Sequence, residues 1–118
     1  MIGIDITSVN RIKNMYEKFG EKAYARFLSE KEIALVNRIE TAAGFWAAKE
    51  AASKALGTGI AAGVSFQHID IEADEFGKPI LNFTEQALVV ANTLQATHFH
   101  VSISDEANYA VAFVVLSR

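Results

Sequence analysis

Apolar residues recur at helical spacing in the first half of this chain, and two-residue alternation takes over in the second. Ile2, Ile4 and Ile6 surround Gly3 and Asp5 in a β-branched run that reads as a short buried strand over residues 2–6. Ile12, Met15, Tyr16 and Phe19 then follow a helical period, with Ser8 or Asn10 as the N-terminal cap and Gly20 as the stop. Residues 21–28 form a second short helix or turn with Ala23, Phe27 and Leu28 inward. Ser29-Glu30-Lys31-Glu32 has capping-box spacing, which predicts a helix from about 30 to 38. Thr41 is placed to cap a long helix from about 42 to 56, which Gly57 would end.

Residues 64–74 end in an alternation, with Ile69, Ile71 and Ala73 on one side and Asp70, Glu72 and Asp74 on the other. Phe76-Gly77-Lys78-Pro79 is the turn, and Ile80, Leu81 and Phe83 are the return strand. Thr84 opens a helix to about 95, and residues 98–104 and 109–116 are the last two strands. The final strand is apolar on both faces, which asks for a helix on one side and another subunit on the other. The expected fold is α+β, with early helices and a long central helix packed on a mostly antiparallel or mixed sheet.

The length, 118 residues, fits one domain spanning 1–118, and 51% hydrophobic content allows a real core. The absence of cysteine excludes disulfides, thiolate nucleophiles and cysteine-based zinc sites. No apolar run approaches the roughly 20 residues of a membrane span, and no basic-then-apolar leader opens the chain, so a cytoplasmic location is expected. The net charge of -3 argues against a nucleic-acid partner. Bases are concentrated early, at Arg11, Lys13, Lys18, Lys22 and Arg26, whereas Phe66 to Glu106 holds seven acids and Lys78 as its only base. This pattern describes either two solvated faces or a docking surface for an acidic partner.

Charges set among apolar residues need a partner, which draws attention to Asp5 and to Phe45-Trp46-Ala47-Ala48-Lys49-Glu50-Ala51-Ala52-Ser53-Lys54. On a wheel of about 100° per residue, Ala42, Phe45, Ala48, Ala52, Ala55 and Leu56 form the apolar stripe. Glu50 and Lys54 share a flank, as a surface pair or as part of a site, while Lys49 sits at the stripe's edge with a snorkelling stem or a buried role. Asp5 is either a strand-end residue in solvent or a ligand. If Asp5 and Glu50 converge, their hard oxygens favour Mg2+, and Lys54 would meet a phosphate oxygen. Gly57-Thr58-Gly59 is a helix stop or a backbone platform beside a ligand. His98 and His100 share a strand face and, with only His68 besides, read as structural residues. Met15, Tyr16 and Phe19 read as core.

Taken together, these motifs resemble the short phosphopantetheinyl transferases, the holo-[acyl-carrier-protein] synthases. The likeness rests on Ile2-Gly3-Ile4-Asp5-Ile6, on Phe45-x-x-x-Lys49-Glu50-Ala51-x-x-Lys54-Ala55 and on Gly57-Thr58-Gly59-Ile60. It continues through Ser65-Phe66 with Ile69, Gly77-Lys78-Pro79 and Val101-Ser102-Ile103-Ser104, in the family's order. The resemblance implies transfer of the 4′-phosphopantetheine arm of coenzyme A to a serine of apo acyl carrier protein, in support of fatty acid biosynthesis. Asp5 and Glu50 would hold Mg2+ and Lys54 would neutralise phosphate charge. The serine proton would pass to Glu50 or to a water on the metal. Gly57, Gly59, Gly77, Lys78 and Pro79 would lie along the nucleotide end, and Arg11, Lys13, Met15, Lys18, Lys22 and Arg26 would receive the acidic carrier. A homotrimer with sites between subunits is also implied. Asp105 stands where the family usually has histidine; it would either turn away or join the metal shell. Rival readings are a nucleotide phosphatase and a non-catalytic binding module.

Overall fold

The computed structural model describes residues 1–118 and shows an α+β fold built around one helix. Strand β1 (Ile2–Ser8) leads directly into α1 (Val9–Phe19), followed by the short helices α2 (Glu21–Ala25) and α3 (Glu30–Leu35). The central helix α4 (Ile39–Leu56) comes next, then a single 3-10 turn (Phe66–His68). The hairpin β2 (Ile69–Ala73) and β3 (Pro79–Phe83), helix α5 (Glu85–Thr93), and strands β4 (His98–Asp105) and β5 (Tyr109–Ser117) complete the chain. The sheets are antiparallel throughout: β1-β5-β4 in one and β2-β3 in the other.

Local signals placed most boundaries. The Ser8 hydroxyl accepts from the Arg11 amide at 3.3 Å and so caps α1. Ser29 and Glu32 form the full reciprocal capping box. Gly57 ends α4 in the left-handed region at φ 84°, which glycine tolerates without a Cβ clash. Other boundaries moved. α3 stops at Leu35 because Val36 turns extended, and α4 begins at Ile39 with Arg38 as its cap. Thr41 therefore lies in the first turn of α4, and its hydroxyl donates to Asn37 Oδ1 instead of capping. Residues 64–68 are not strand; the 3-10 turn occupies most of them, and Ala73 is exposed.

α4 is buried nearly all round, and Lys54 is its only exposed residue. Alanines make this possible: Ala42, Ala43, Ala47, Ala48, Ala51 and Ala52 are wholly buried, so neighbouring elements approach from several sides. The inner side of β5 repeats the theme with Ala110, Ala112, Val114 and Leu116. β1 departs from the expected buried strand. Its α4 side carries Gly3, Asp5 and Thr7, while Ile2, Ile4 and Ile6 point away and are 58–64% exposed. Phe113 on β5 joins that outward apolar face.

Lys49 proves to be a buried residue, not a snorkelling one. Its ammonium donates to Glu32 Oε1 at 2.7 Å and to the Phe66 carbonyl at 3.1 Å. The Glu32 carboxylate also accepts from the Ser29 and Ile71 amides, both at 2.8 Å. One ion pair thus ties α3, α4, the 3-10 turn and β2 together. Burial pushes the Lys49 ammonium below the usual lysine range, against the opposing pull of Glu32. Removing one partner strands the other charge in the core. Glu32→Ala is therefore expected to destabilise the fold by about 3–5 kcal/mol. Denaturant titration checks this, and a loss under about 1 kcal/mol, the worth of an exposed pair, would contradict it.

Candidate active site

The strand period puts Asp5 on the α4 side of β1, and the helical period puts Glu50 and Lys54 one turn apart beside it. Lys54 does not pair with Glu50. Its ammonium bonds Asp5 Oδ1 and the Ile4 carbonyl, each at 3.0 Å. The Thr7 hydroxyl donates to the other oxygen, Asp5 Oδ2, at 2.8 Å, so both carboxylate oxygens are held. Glu50 is half-buried and makes no ion pair. Burial first, and the Asp5 charge second, raise its carboxyl above the usual range, while Lys54 and Arg11 pull the other way. Two converging carboxylates, one unpaired, form an oxygen-only donor set suited to a hard cation.

Asp5 and Lys54 open onto a groove of about 510 Å³ floored by Ile4, Ile6 and Val111. The Gly77-Lys78-Pro79 turn lies elsewhere. Asp74 organises it by accepting from the Phe76 and Lys78 amides at 2.8 and 2.9 Å, and Gly77 takes φ 83°. Gly77 and Pro79 border a second groove of about 400 Å³, with Arg38, Phe45, Glu72 and Asp105. Lys78 is exposed. Gly57 and Gly59 follow α4, both left-handed, with open space where a Cβ would be. They serve as the helix stop: the Gly57 amide bonds the Lys54 carbonyl at 3.0 Å and the Gly59 amide the Ser53 carbonyl at 3.1 Å. Within one chain, the Gly77-Lys78-Pro79 turn and the Asp5–Lys54 pair line separate grooves.

Asp105 is not beside Asp5 and Glu50. It ends β4, opposite Ala110, and its carboxylate faces Arg38 at 3.4 Å; Arg38 also reaches Glu40 at 3.3 Å. No group of three or more His, Asp or Glu residues is gathered for an ion, so Asp105 turns away from the pair in its own chain. His98 and His100 are exposed on the outer face of the sheet.

The basic residues divide between two flanks of α1. Arg11, Met15 and Lys18 share one flank. The Arg11 guanidinium lies 4.9 Å from the Trp46 ring centroid, and Lys18 and Arg26 converge on Phe19 at 5.3 and 4.6 Å. Lys13 lies on the opposite flank, 4.0 Å from Glu17. Lys22 is exposed on α2. Met15 is half-buried, but Tyr16 and Phe19 are about 40% exposed and are not the core residues their spacing predicts. Sequence reasoning missed Thr7 as the orienter of Asp5, although its position two residues along the same strand face was a usable signal. It also missed that the Arg11 charge acts on the Glu50 carboxyl, which nothing in the sequence announces.

Residues 1–114 match the 4′-phosphopantetheinyl transferase superfamily. The chain is 53% identical over 118 residues to the holo-[acyl-carrier-protein] synthase of Nautilia profundicola, covering 100% of both. It is 50% identical over 115 residues to that of Aliarcobacter butzleri, covering 98% of this chain and 95% of the relative. Among solved structures, the Helicobacter pylori holo-[acyl-carrier-protein] synthase in complex with coenzyme A superposes with a TM-score of 0.90 at 38% identity, covering 99% and 100% of the two chains. The full-length match and the shared fold lead to one conclusion: this chain belongs to the 4′-phosphopantetheinyl transferase superfamily.

Proposed function

We propose that the protein is a magnesium-dependent holo-[acyl-carrier-protein] synthase. It moves the 4′-phosphopantetheine arm of coenzyme A to a serine hydroxyl of apo acyl carrier protein and releases adenosine 3′,5′-bisphosphate. The observation that carries this reading is the convergence of Asp5, Glu50 and Lys54 on one side of β1 in a chain of this family. The serine nucleophile comes from the partner, and this chain needs none of its own.

Asp5 and Glu50 are the residues that would hold Mg2+, which when bound supplies positive charge to the pyrophosphate. Lys54 offers its ammonium to the phosphate under attack, where charge builds. Glu50 is the side chain available to take the serine proton. Positioning and electrostatics dominate phosphoryl transfer, so a small polar cluster is sufficient. Gly57, Gly59 and the Gly77-Lys78-Pro79 turn serve the nucleotide end. Gly77 and Pro79 of that turn and the Asp5–Lys54 pair line separate grooves of one chain, which supports a homotrimer whose sites lie between subunits. The exposed Ile2, Ile4, Ile6 and Phe113 supply the apolar face such an assembly would cover. The reading describes one transferase domain over residues 1–118, cytoplasmic and serving fatty acid synthesis. No helix is long and apolar enough to cross a membrane.

The deciding experiment incubates the protein with apo acyl carrier protein and coenzyme A, with and without Mg2+, and weighs the carrier by mass spectrometry. A gain of one phosphopantetheine arm only with Mg2+ is expected. Coenzyme A bound without transfer would point to a binding module, and its cleavage without carrier to a phosphatase.

The acidic carrier should dock on the Arg11, Met15 and Lys18 flank, with Arg26 and Lys22 at its edge. Reversing charge at Arg11 and Lys18 is expected to raise KM for the carrier by about tenfold or more at low salt, with KM for coenzyme A nearly unchanged. The same reversal at Lys13, on the other flank, should do less. Equal effects from the two flanks would discard this docking face.

A further inference from the structure

We infer that Gly3 is a positioning residue for the reaction: having no side chain, it lets β1 rest on the backbone of α4, and that contact sets Asp5 within reach of Lys54 and Glu50. The inference rests on the reading of Asp5, Glu50 and Lys54 as the reacting cluster.

A Cβ on Gly3 would overlap the Ala51 carbonyl oxygen outright and stand 2.7 Å from the Ala55 amide nitrogen. Both atoms are helix backbone, so neither can rotate aside. Gly3 is not among the residues with positive φ, so its use here is space, not conformational freedom. The surface it meets is correspondingly shallow, since Ala51 and Ala55 are buried helix residues with single methyl side chains.

The consequence for the site follows from spacing. Asp5 is two residues beyond Gly3 and shares its face of the strand. Lys54 lies between Ala51 and Ala55 along the helix, and its ammonium spans the gap to the Ile4 carbonyl and Asp5 Oδ1, both at 3.0 Å. β1 is an edge strand, paired only with β5, so it can tilt away from α4 while keeping that pairing. A shift of about 1 Å would stretch both Lys54 bonds beyond useful length and carry Asp5 away from Glu50.

The test is Gly3→Ala in the full chain. Alanine suits the strand conformation, and a folded protein of lower melting temperature is expected. The kcat should fall about 10²-fold with KM for the carrier unchanged, because a 1 Å misplacement of reacting groups costs on that order. Calorimetric affinity for Mn2+, measured with coenzyme A present, should fall about 10–100-fold. Asp5→Glu added to Gly3→Ala should recover part of the loss, since the extra methylene restores reach, yet the same change alone should lower activity. Reduced stability by itself does not produce that reversal of sign. If Gly3→Ala does not fold, Ala55→Val thickens the same layer from the helix side and carries the same expectations. Unchanged kcat and Mn2+ affinity in the folded variant would overturn the inference, as would harm from Asp5→Glu in both backgrounds. Transfer that survives Asp5→Ala in the parent would instead remove the reading of the site, and the inference with it.

Discussion

Glu50→Gln is expected to lower phosphopantetheine transfer by at least about 10²–10³-fold, and to leave a protein more stable than the parent at neutral pH. The first half follows from the role proposed for Glu50 beside Asp5. The amide keeps the shape, loses the charge and cannot accept a proton. The second half follows from the raised carboxyl of Glu50, caused first by burial and then by Asp5. In the window between the ordinary glutamate pKa and the raised one, the native state binds a proton more readily than the unfolded chain. Stability therefore declines as pH rises through that window, and the ionised group is a burden above it. Gln removes the burden without breaking an ion pair, because Glu50 makes none. The variant's advantage should be present at neutral pH and vanish at pH below the ordinary glutamate range, where both states of the parent are protonated. Denaturant titrations at the two pH values, with the carrier mass assay, measure both halves. A variant that is inactive but also less stable at neutral pH would mean Glu50 holds the fold instead of the reaction.

Much of this site was legible because it depends on near neighbours in sequence. The spacing of Glu50 and Lys54, the Ser29–Glu32 box and the Gly57 stop are local rules, and the structure follows them. Convergence of Asp5 on that helix was conditional from sequence, because it needs β1 and α4 to meet. What stayed hidden involves partners distant in the chain. Lys49 read as a stripe-edge residue because Glu32, 17 positions earlier, is invisible to a helical wheel. The isoleucines of β1 read as buried because composition marks a strand apolar without saying which face meets the core; the side holding Gly3, Asp5 and Thr7 won because α4 approaches closely there. Asp105 read as either turning away or joining the metal shell, and within its own chain it faces Arg38, 67 positions earlier. The opposed flanks of Lys13 and Lys18 were within reach of the sequence, since five residues at about 100° each carry a side chain well round the helix.

Lys54→Met should retain the fold and lower kcat by about 10²–10³-fold, the usual loss when one preorganised charge donor to a transition state is removed. Lys54 is the one exposed residue of α4, half in solvent, so its methylenes contribute little to packing and methionine can follow the same path. Beyond the phosphate role proposed for it, its charge acts on Glu50. Asp5 and Glu50 repel each other, and Lys54 is one of two cations that lower the Glu50 carboxyl, the other being Arg11. Without the ammonium, Glu50 should hold its proton to higher pH. If transfer needs ionised Glu50, the acidic limb of the pH–rate profile must then move upward in the variant, whereas Lys54→Arg, which keeps the charge, should leave the limb close to its parental position. Arg carries its charge in a wide planar fork and not on a compact ammonium, so it should restore the pH profile better than it restores kcat. The three profiles separate the two tasks: a lower kcat with an unmoved acidic limb in Lys54→Met would assign Lys54 to phosphate alone, and an unchanged kcat would remove it from the reaction.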